Sequence, residues 1–460
     1  MRVTLVGHAC VFVEVEGARC LMDPVFGDPF EEGAVTTCPR REVDASEMPR
    51  PDIIILSHAH LDHFDIPTLA TLPRDADVLC PKDKVILYAL EQLGFRNIHA
   101  TEPMARIEFK SHALLTTHSN VTNVVEFGVV FKDASGTFWN QVDTVIAPAT
   151  ITQTLGQCGK IDLLFAMHAS QNFEFFESLR TGFPYAMHEM NLRAALSIRP
   201  RMAVPGAAGF RFCGPVEWCN AFLFPMSREQ FIRDLATLDP SIATRIGNPG
   251  DVFEIEGGVI EHRSQASPFA RMVEDDTQRL RFDPTATVPP LEDVNPDGHT
   301  RERLEADVEE SMRAFGELLA NNKDDDLLRD YRAARASYAV CVVFPDGDEW
   351  LHRVDFADAE PRLSRADATR DAASSVHRIT ASAVVAWLGR EKSYFYLRAF
   401  SRRSSTVYAL SGAGSSVRVE AKVLPDLFER FLRRHVAGAE LAQKTWLDRQ
   451  LAPYRSGSGG

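Results

Sequence analysis

The stretch DIIILSHAHLDHFD, residues 52 to 65, constrains this chain more than any other. Three isoleucines and a leucine in succession are too short a run for a globular helix and rich in β-branched side chains, which reads as a buried strand. Directly behind it stand His58, His60, Asp62 and His63. The first two histidines are two residues apart, so an extended backbone projects both imidazoles to one side. Asp62 and His63 follow as the chain turns and offer a carboxylate and a third imidazole to a neighbouring point. A polar surface turn is the alternative, and it does not account for this spacing. The pattern is that of a metal site.

As H-x-H-x-D-H, these residues resemble the signature of the metallo-β-lactamase superfamily. The resemblance implies an α/β four-layer αβ/βα sandwich with metals at one end of its sheets. It also implies ligands further along the chain. His118, in LLTTHSN, ends an expected strand and takes the place of a third histidine; Asp143, in WNQVDT, takes that of a carboxylate shared by two metals. Where the superfamily pattern has a last histidine, this chain reads MAVPGAAGF, with Ala207 and Ala208 at that point. The implied sets are therefore His58, His60 and His118 at one position, and Asp62 and His63 at the other, with Asp143 between them. Such a mixture of histidines and carboxylates suits non-haem iron, with zinc or manganese as alternatives.

A narrower resemblance runs through LMDPVF, PDIIILSHAHLDHFDIPTL, WNQVDT and IRPRMAVPGAAGF, and less closely through RIGNPGDVFEI and VHRITASAVVAWLGREKSYFYLRAFSRRSSTVY. These segments are similar to the catalytic portion of the CMP-N-acetylneuraminate hydroxylase family. That family implies an iron-dependent oxygenase using dioxygen as co-substrate and fed by a Rieske cluster. No C-x-H paired with C-x-x-H occurs here, so this chain cannot hold a Rieske cluster. Electrons then come from a separate electron-transfer protein or from the substrate itself, and sialic-acid specificity does not carry over.

The expectation is an iron oxygenase, dinuclear, acting on a small polar metabolite, with Asp62 counted both as a metal ligand and as a catalytic residue; a hydrolase would instead use Asp62 to orient a metal-bound water or take its proton. The alternative is a dinuclear zinc hydrolase of an ester, lactone, amide or phosphodiester. His188, in YAMHEMNLRAAL, stands where an acid/base group could reach the site, or where an ordinary helix residue would. His8, in GHAC, follows the first strand and is read either as support behind a ligand or as turn packing. His168, in FAMHASQNF, is a weaker ligand candidate. Arg402 and Arg403 read as a solvated pair rather than an anion site.

The remaining sequence sets bounds. A formal net charge of -14 excludes the basic face that a nucleic acid or anionic membrane would need. The opening MRVTLVGHACVFVEVEG alternates like a strand and is not read as a signal peptide, and no apolar run is long enough to span a bilayer. Eight cysteines without regular spacing suggest free thiols in a reducing cytoplasm. The expected organisation is a metal domain over 1–265, a linker and amphipathic helix over 266–335, an α+β domain over 336–454, and a flexible tail over 455–460. In the linker region Leu304, Val308, Phe315 and Leu319 recur at helical spacing and read as a packing face. Strands are expected at SYAVCVVF and KSYFYLRAF, with helices near 378–388 and 424–435.

Overall fold

The computed structural model describes residues 1–109, 112–121, 124–207, 209–322, 325–366, 373–389, 392, 397–411, 420–436 and 440–455. Ala208 and the tail from Ser456 lie outside them. The chain forms two compact units. One comprises Met1–Asn172, Gly182–Pro284 and the residues from Leu447 on; the other comprises Phe173–Thr181 and Thr285–Trp446.

The first unit is built on two mixed sheets. One has eight strands, in the order Val259–Arg263, Val252–Glu256, Arg2–Gly7, Cys10–Val15, Ala18–Met22, Ile53–Ile55, Asp77–Pro81 and Asn97–Thr101. The other has seven, in the order Ala243–Thr244, Met202–Gly206, Leu163–Met167, Thr137–Asn140, Phe127–Lys132, His112–His118 and Arg106–Phe109. Alternate residues of both sheets meet in one core: Val3, Val11, Val13, Ile53 and Ile55 from the first, with Leu114, Phe127, Val129, Phe131, Leu163 and Val204 from the second. The opposite face of the second sheet, with Leu115, Val130, Trp139, Leu164 and Ala203, packs against Ile151, Leu192, Ala195, Ile198, Phe231 and Leu235 of its covering helices. Period-two patterning buried on both faces is what gives a layered sandwich.

The isoleucine strand explains itself within this frame. Ile53–Ile55 pairs in parallel with Ala18–Met22 on one side and with Asp77–Pro81 on the other. A parallel strand inside a sheet is covered on both faces, so its sequence is continuously apolar rather than alternating. Ile54 and Ile55 are both fully buried. Ile54→Ala is expected to cost about 2–5 kcal/mol of stability, read from urea unfolding at fixed m-value. The carboxyl end of this strand releases the chain toward His58, the place where open α/β sheets present their binding residues.

Two helices also follow local rules. Arg228–Leu238 starts at Ser227, whose hydroxyl accepts from Gln230 N at 3.1 Å, and Lys84–Gln92 starts at Asp83, whose carboxylate accepts from Val85 N and Ile86 N. The helix Pro148–Cys158 carries three Thr and a Gly, residues of weak helix propensity, and was not expected; it forms because Ile151, Thr154 and Cys158 bury against the second sheet. Beyond Trp446 the helix Glu440–Leu451 buries Leu447 and Leu451, and Tyr88 donates to Asp448 Oδ1 at 2.5 Å.

In the second unit a five-stranded sheet runs in the order Ser364–Ala366, Glu349–Asp355, Ser337–Val343, Ser375–Thr380 and Ser401–Ser405. The helix Arg301–Asn321 buries Leu304, Val308, Phe315 and Leu319, the packing face read from the sequence. Three expectations need correction. The segment KSYFYLRAF is not a strand where it is described: Leu397 and Arg398 are helical, and residues 393–396 lie outside the described residues. The stretch expected to be helical from 378 is strand through Thr380 and helical only over Ala381–Leu388, because Thr380 caps it through Ala383 N. Arg402 and Arg403 are not a solvated pair: they are 9% and 3% exposed, and Arg403 is ion-paired with Glu429. All eight cysteines are free thiols. No helix among the described residues is long and apolar enough to cross a membrane.

Candidate metal centre

The centre is set out by hydrogen bonds that begin at Asp23, just past the Ala18–Met22 strand. Its carboxylate accepts from Ser57 N and Ser57 Oγ, both at 2.7 Å, and from His63 Nδ1 at 2.9 Å. Since Ser57 gives its hydroxyl proton to Asp23, its oxygen accepts from His58 Nδ1, 2.9 Å away. Both imidazoles are thereby anchored by Nδ1–H and keep Nε2 for another partner, as second contacts of metal-binding histidines do. His58 Nε2 lies 2.9 Å from His60 Nδ1. His63 is fully buried and its Nε2 makes no aligned hydrogen bond, although Asp143 Oδ2 is 3.2 Å away and Asp62 Oδ2 3.6 Å.

Two groups of ligand atoms result, each within 4.8 Å: His58, His60 and Asp143, and His8, Asp62 and His63. Asp143 belongs to the first and touches the second through His63. His8 is engaged on both ring nitrogens. Its Nδ1 accepts from Gly209 N at 3.0 Å, so its proton sits on Nε2 and is donated to Asp62 Oδ2 at 3.0 Å. Gly209 has to be glycine for this approach, because a Cβ there would stand 3.0 Å from His8 Cα. Phe30 and Phe210 pack against the His8 ring and shield this contact from water.

Charge inside the cluster is strongly redistributed. Burial disfavours the charged form of every member, yet Asp62 stays far below the usual carboxylate range because His63 and His8 face it. Asp143 is likewise brought down to about 2 by His63 against the effect of burial. Burial lowers His63, but Asp62, Asp143 and Asp23 outweigh it and hold the imidazole charged well above its ordinary range. His58 is pushed well below that range by burial and by the neighbouring His63 and His60. A buried imidazole with an unused Nε2, converging with two ionised carboxylates and two further histidines, fits a cation: the donor types are those of iron, manganese or zinc.

The sequence expectations separate at this point. His58, His60, Asp62, His63 and Asp143 come together; His118 does not. It ends the His112–His118 strand, exposed, and is in neither group among the described residues. His188 is paired with Asp234 at 2.9 Å and lies edge-on to Phe183 and Phe231, outside both groups. His168 is buried, donates from Nδ1 to Gly206 O at 3.0 Å, and is lowered by burial to about 4. Ala207 is 7% exposed with φ 53°. Asp23 had no assigned role in the sequence reading, although it lies in the quoted LMDPVF; its signal was a lone aspartate leaving the strand next to the isoleucine run. Asp23→Asn removes the charge that fixes the His63 ring and is expected to weaken metal binding about 10–100-fold, measured by competition with a fluorescent chelator.

Residues 2–171 match the model of the β-lactamase superfamily domain. A UPF0173 metal-dependent hydrolase of Exiguobacterium sp. is 33% identical over 95 residues, 21% of this chain and 37% of that protein. Another, from Salinibacter ruber, is 25% identical over 174 residues, 36% of this chain and 71% of its own length. The first match thus spans little more than a third of its relative. Among solved structures, CmlA, a diiron beta-hydroxylase from Streptomyces venezuelae, aligns with a TM-score of 0.33 and 18% identity over 45% of each chain. With two mixed sheets packed face to face, covering helices and the histidine-aspartate cluster at the end of a parallel strand, the fold is that of the metallo-β-lactamases, in a chain whose residues 2–171 match the β-lactamase superfamily domain.

Proposed function

We propose that this chain is a dinuclear non-haem iron oxygenase acting on a small polar metabolite. The observation that carries the reading is the donor set. His58, His60 and Asp143 form one position; Asp62 and His63, reached by Asp143, form the other. His8 adds no free nitrogen to the second position, because its Nε2 proton is committed to Asp62. That position is therefore rich in oxygen and poor in nitrogen, which favours iron or manganese over tetrahedral zinc. Iron held here would supply dioxygen reduction, and zinc would supply Lewis acidity. The protein's own part is to keep Asp62 and Asp143 ionised, to hold His58 neutral, and to fix the His58 and His63 rings through Nδ1. Asp62 is the group proposed to handle a proton, with His8 as the donor that orients it. His188 is left as a tie between its helix and Asp234. A separate electron-transfer protein is the proposed reductant.

A zinc hydrolase is the second reading, favoured by one finding: two of the relatives matched by sequence carry the name metal-dependent hydrolase. Protein purified without chelators decides between them. Under the leading reading it contains iron, and reduction of the iron-reconstituted chain brings dioxygen uptake above that of the His58→Ala variant. Stoichiometric zinc, no dioxygen uptake after iron loading, and cleavage of a lactone or phosphodiester series would establish the hydrolase instead.

A further inference from the structure

Outside the two ligand groups, one carboxylate near the centre has no counterpart in the account so far. Glu31 and Glu32 are consecutive residues with φ of 47° and 58°, a left-handed conformation that side chains with a Cβ rarely adopt. Glu31 Oε2 is shut off from water and has no hydrogen-bond partner. A buried carboxyl oxygen without a partner is costly unless a proton or a cation completes it. Phe30, the residue before it, packs against the ring of His8, which holds Asp62, so the loop runs beside the second ligand group; in keeping with that place, burial, Asp62 and Glu32 push its carboxyl up and His63 opposes them.

The loop that carries Glu31 is fastened on every side. Phe30 N donates to Val35 O at 2.8 Å, closing the turn. Val35–Thr37 then pairs antiparallel with Phe210–Phe212, and Cys213 N donates to Ala34 O at 2.9 Å. Asp28 accepts from Thr37 N at 2.7 Å and from the buried Arg41 Nε at 3.1 Å. Phe30 stacks on His8, which in turn holds Asp62. The strained pair is thus held in place by its neighbours, and the segment just before Phe210 supplies the Gly209 N–H that fixes His8.

We propose that Glu31 is a further ligand of the second metal position, beside Asp62 and His63. The inference rests on the reading that the cluster holds two metal ions. Iron, manganese and zinc take at least four donors, and Asp62, His63 and Asp143 provide three. Glu31 supplies the next one from a rigid loop and brings a third carboxylate to an oxygen-rich position.

The test uses the full chain, loaded anaerobically with Mn(II) and separately with Zn(II), with metal per chain read by elemental analysis after gel filtration and dissociation constants by chelator competition. Glu31→Ala and Glu31→Gln are expected to retain one ion, with the second bound more than about 10-fold more weakly than in the unmodified chain. Circular dichroism of the metal-free proteins checks folding; should the alanine variant fail to fold, Glu31→Gln keeps the size and removes only the charge. Two ions bound at unchanged affinity in the folded glutamine variant overturn the proposal, as does an unmodified chain that binds only one. Because the readout is metal and not turnover, failure of dioxygen uptake leaves it standing. Full metal content in both His58→Ala and Asp143→Ala would instead remove the metal-centre reading beneath it.

Discussion

Asp143→Ala is expected to empty the centre almost completely, with metal content falling from two ions per chain to well below one. The carboxylate lies in one group with His58 and His60 and stands 3.2 Å from His63 in the other. Its removal therefore takes a donor from each position at once. Disturbing even a supporting group costs about 10–100-fold in metal affinity, so loss of a donor at both positions compounds to a factor of hundreds or more. His58→Ala provides the comparison, since it strips a nitrogen from the first position only and should leave the second ion in place. Elemental analysis distinguishes the two. An Asp143→Ala chain that still binds two ions at the unmodified affinity would remove the bridging role.

The second large effect is on pH. In the metal-free chain His63 carries a proton that Asp62 and Asp143 hold well above the ordinary histidine range. A metal must displace that proton from Nε2, so binding releases it. Asp62 and Asp143 are already ionised, and His58 is already neutral at pH 7, because their shifts run the other way. The sign follows: below the raised His63 value, affinity climbs as pH rises, by about tenfold per pH unit for each proton released. Below the raised His63 value the dissociation constant should therefore fall about tenfold for each unit of pH. Calorimetric titration in two buffers of different ionisation enthalpy counts the protons directly, and a pH-independent affinity with no proton release would contradict the charged His63.

Much of the candidate centre was legible because His58, His60, Asp62 and His63 follow one buried strand. Ile53–Ile55 declares its place by being apolar without alternation, and the H-x-H-x-D-H spacing needs only the strand's end to bring four side chains together. Asp143 was reachable by the same logic, as a residue two or three past the end of Thr137–Asn140. What stayed hidden depends on contacts between distant segments. Asp23 supports His63 across 40 residues of chain, and Gly209 reaches His8 across 201. Neither distance leaves a local pattern. His118 stands outside both groups for a different reason: a strand-end histidine points inward or outward according to loop geometry that periodicity does not encode. Arg403 looked like a surface residue because charge is usually solvated, whereas here Glu429 compensates it in the interior.

The helix around Leu447 has a consequence for how this protein is made. The five residues gathered at the metal centre lie between positions 58 and 143, in the first third of the chain. Yet the unit that houses them is completed by residues beyond Leu447, where Leu447 and Leu451 bury and Asp448 takes the Tyr88 hydroxyl. During synthesis on the ribosome these residues emerge early, and the last piece of their own unit emerges only after all of the other unit has been translated. At a ribosomal pace of about 5–20 residues per second, that leaves tens of seconds in which the apolar surface meant for Leu447 and Leu451 stays open. Over that interval the nascent first unit carries open apolar surface, the condition under which folding intermediates are prone to aggregate.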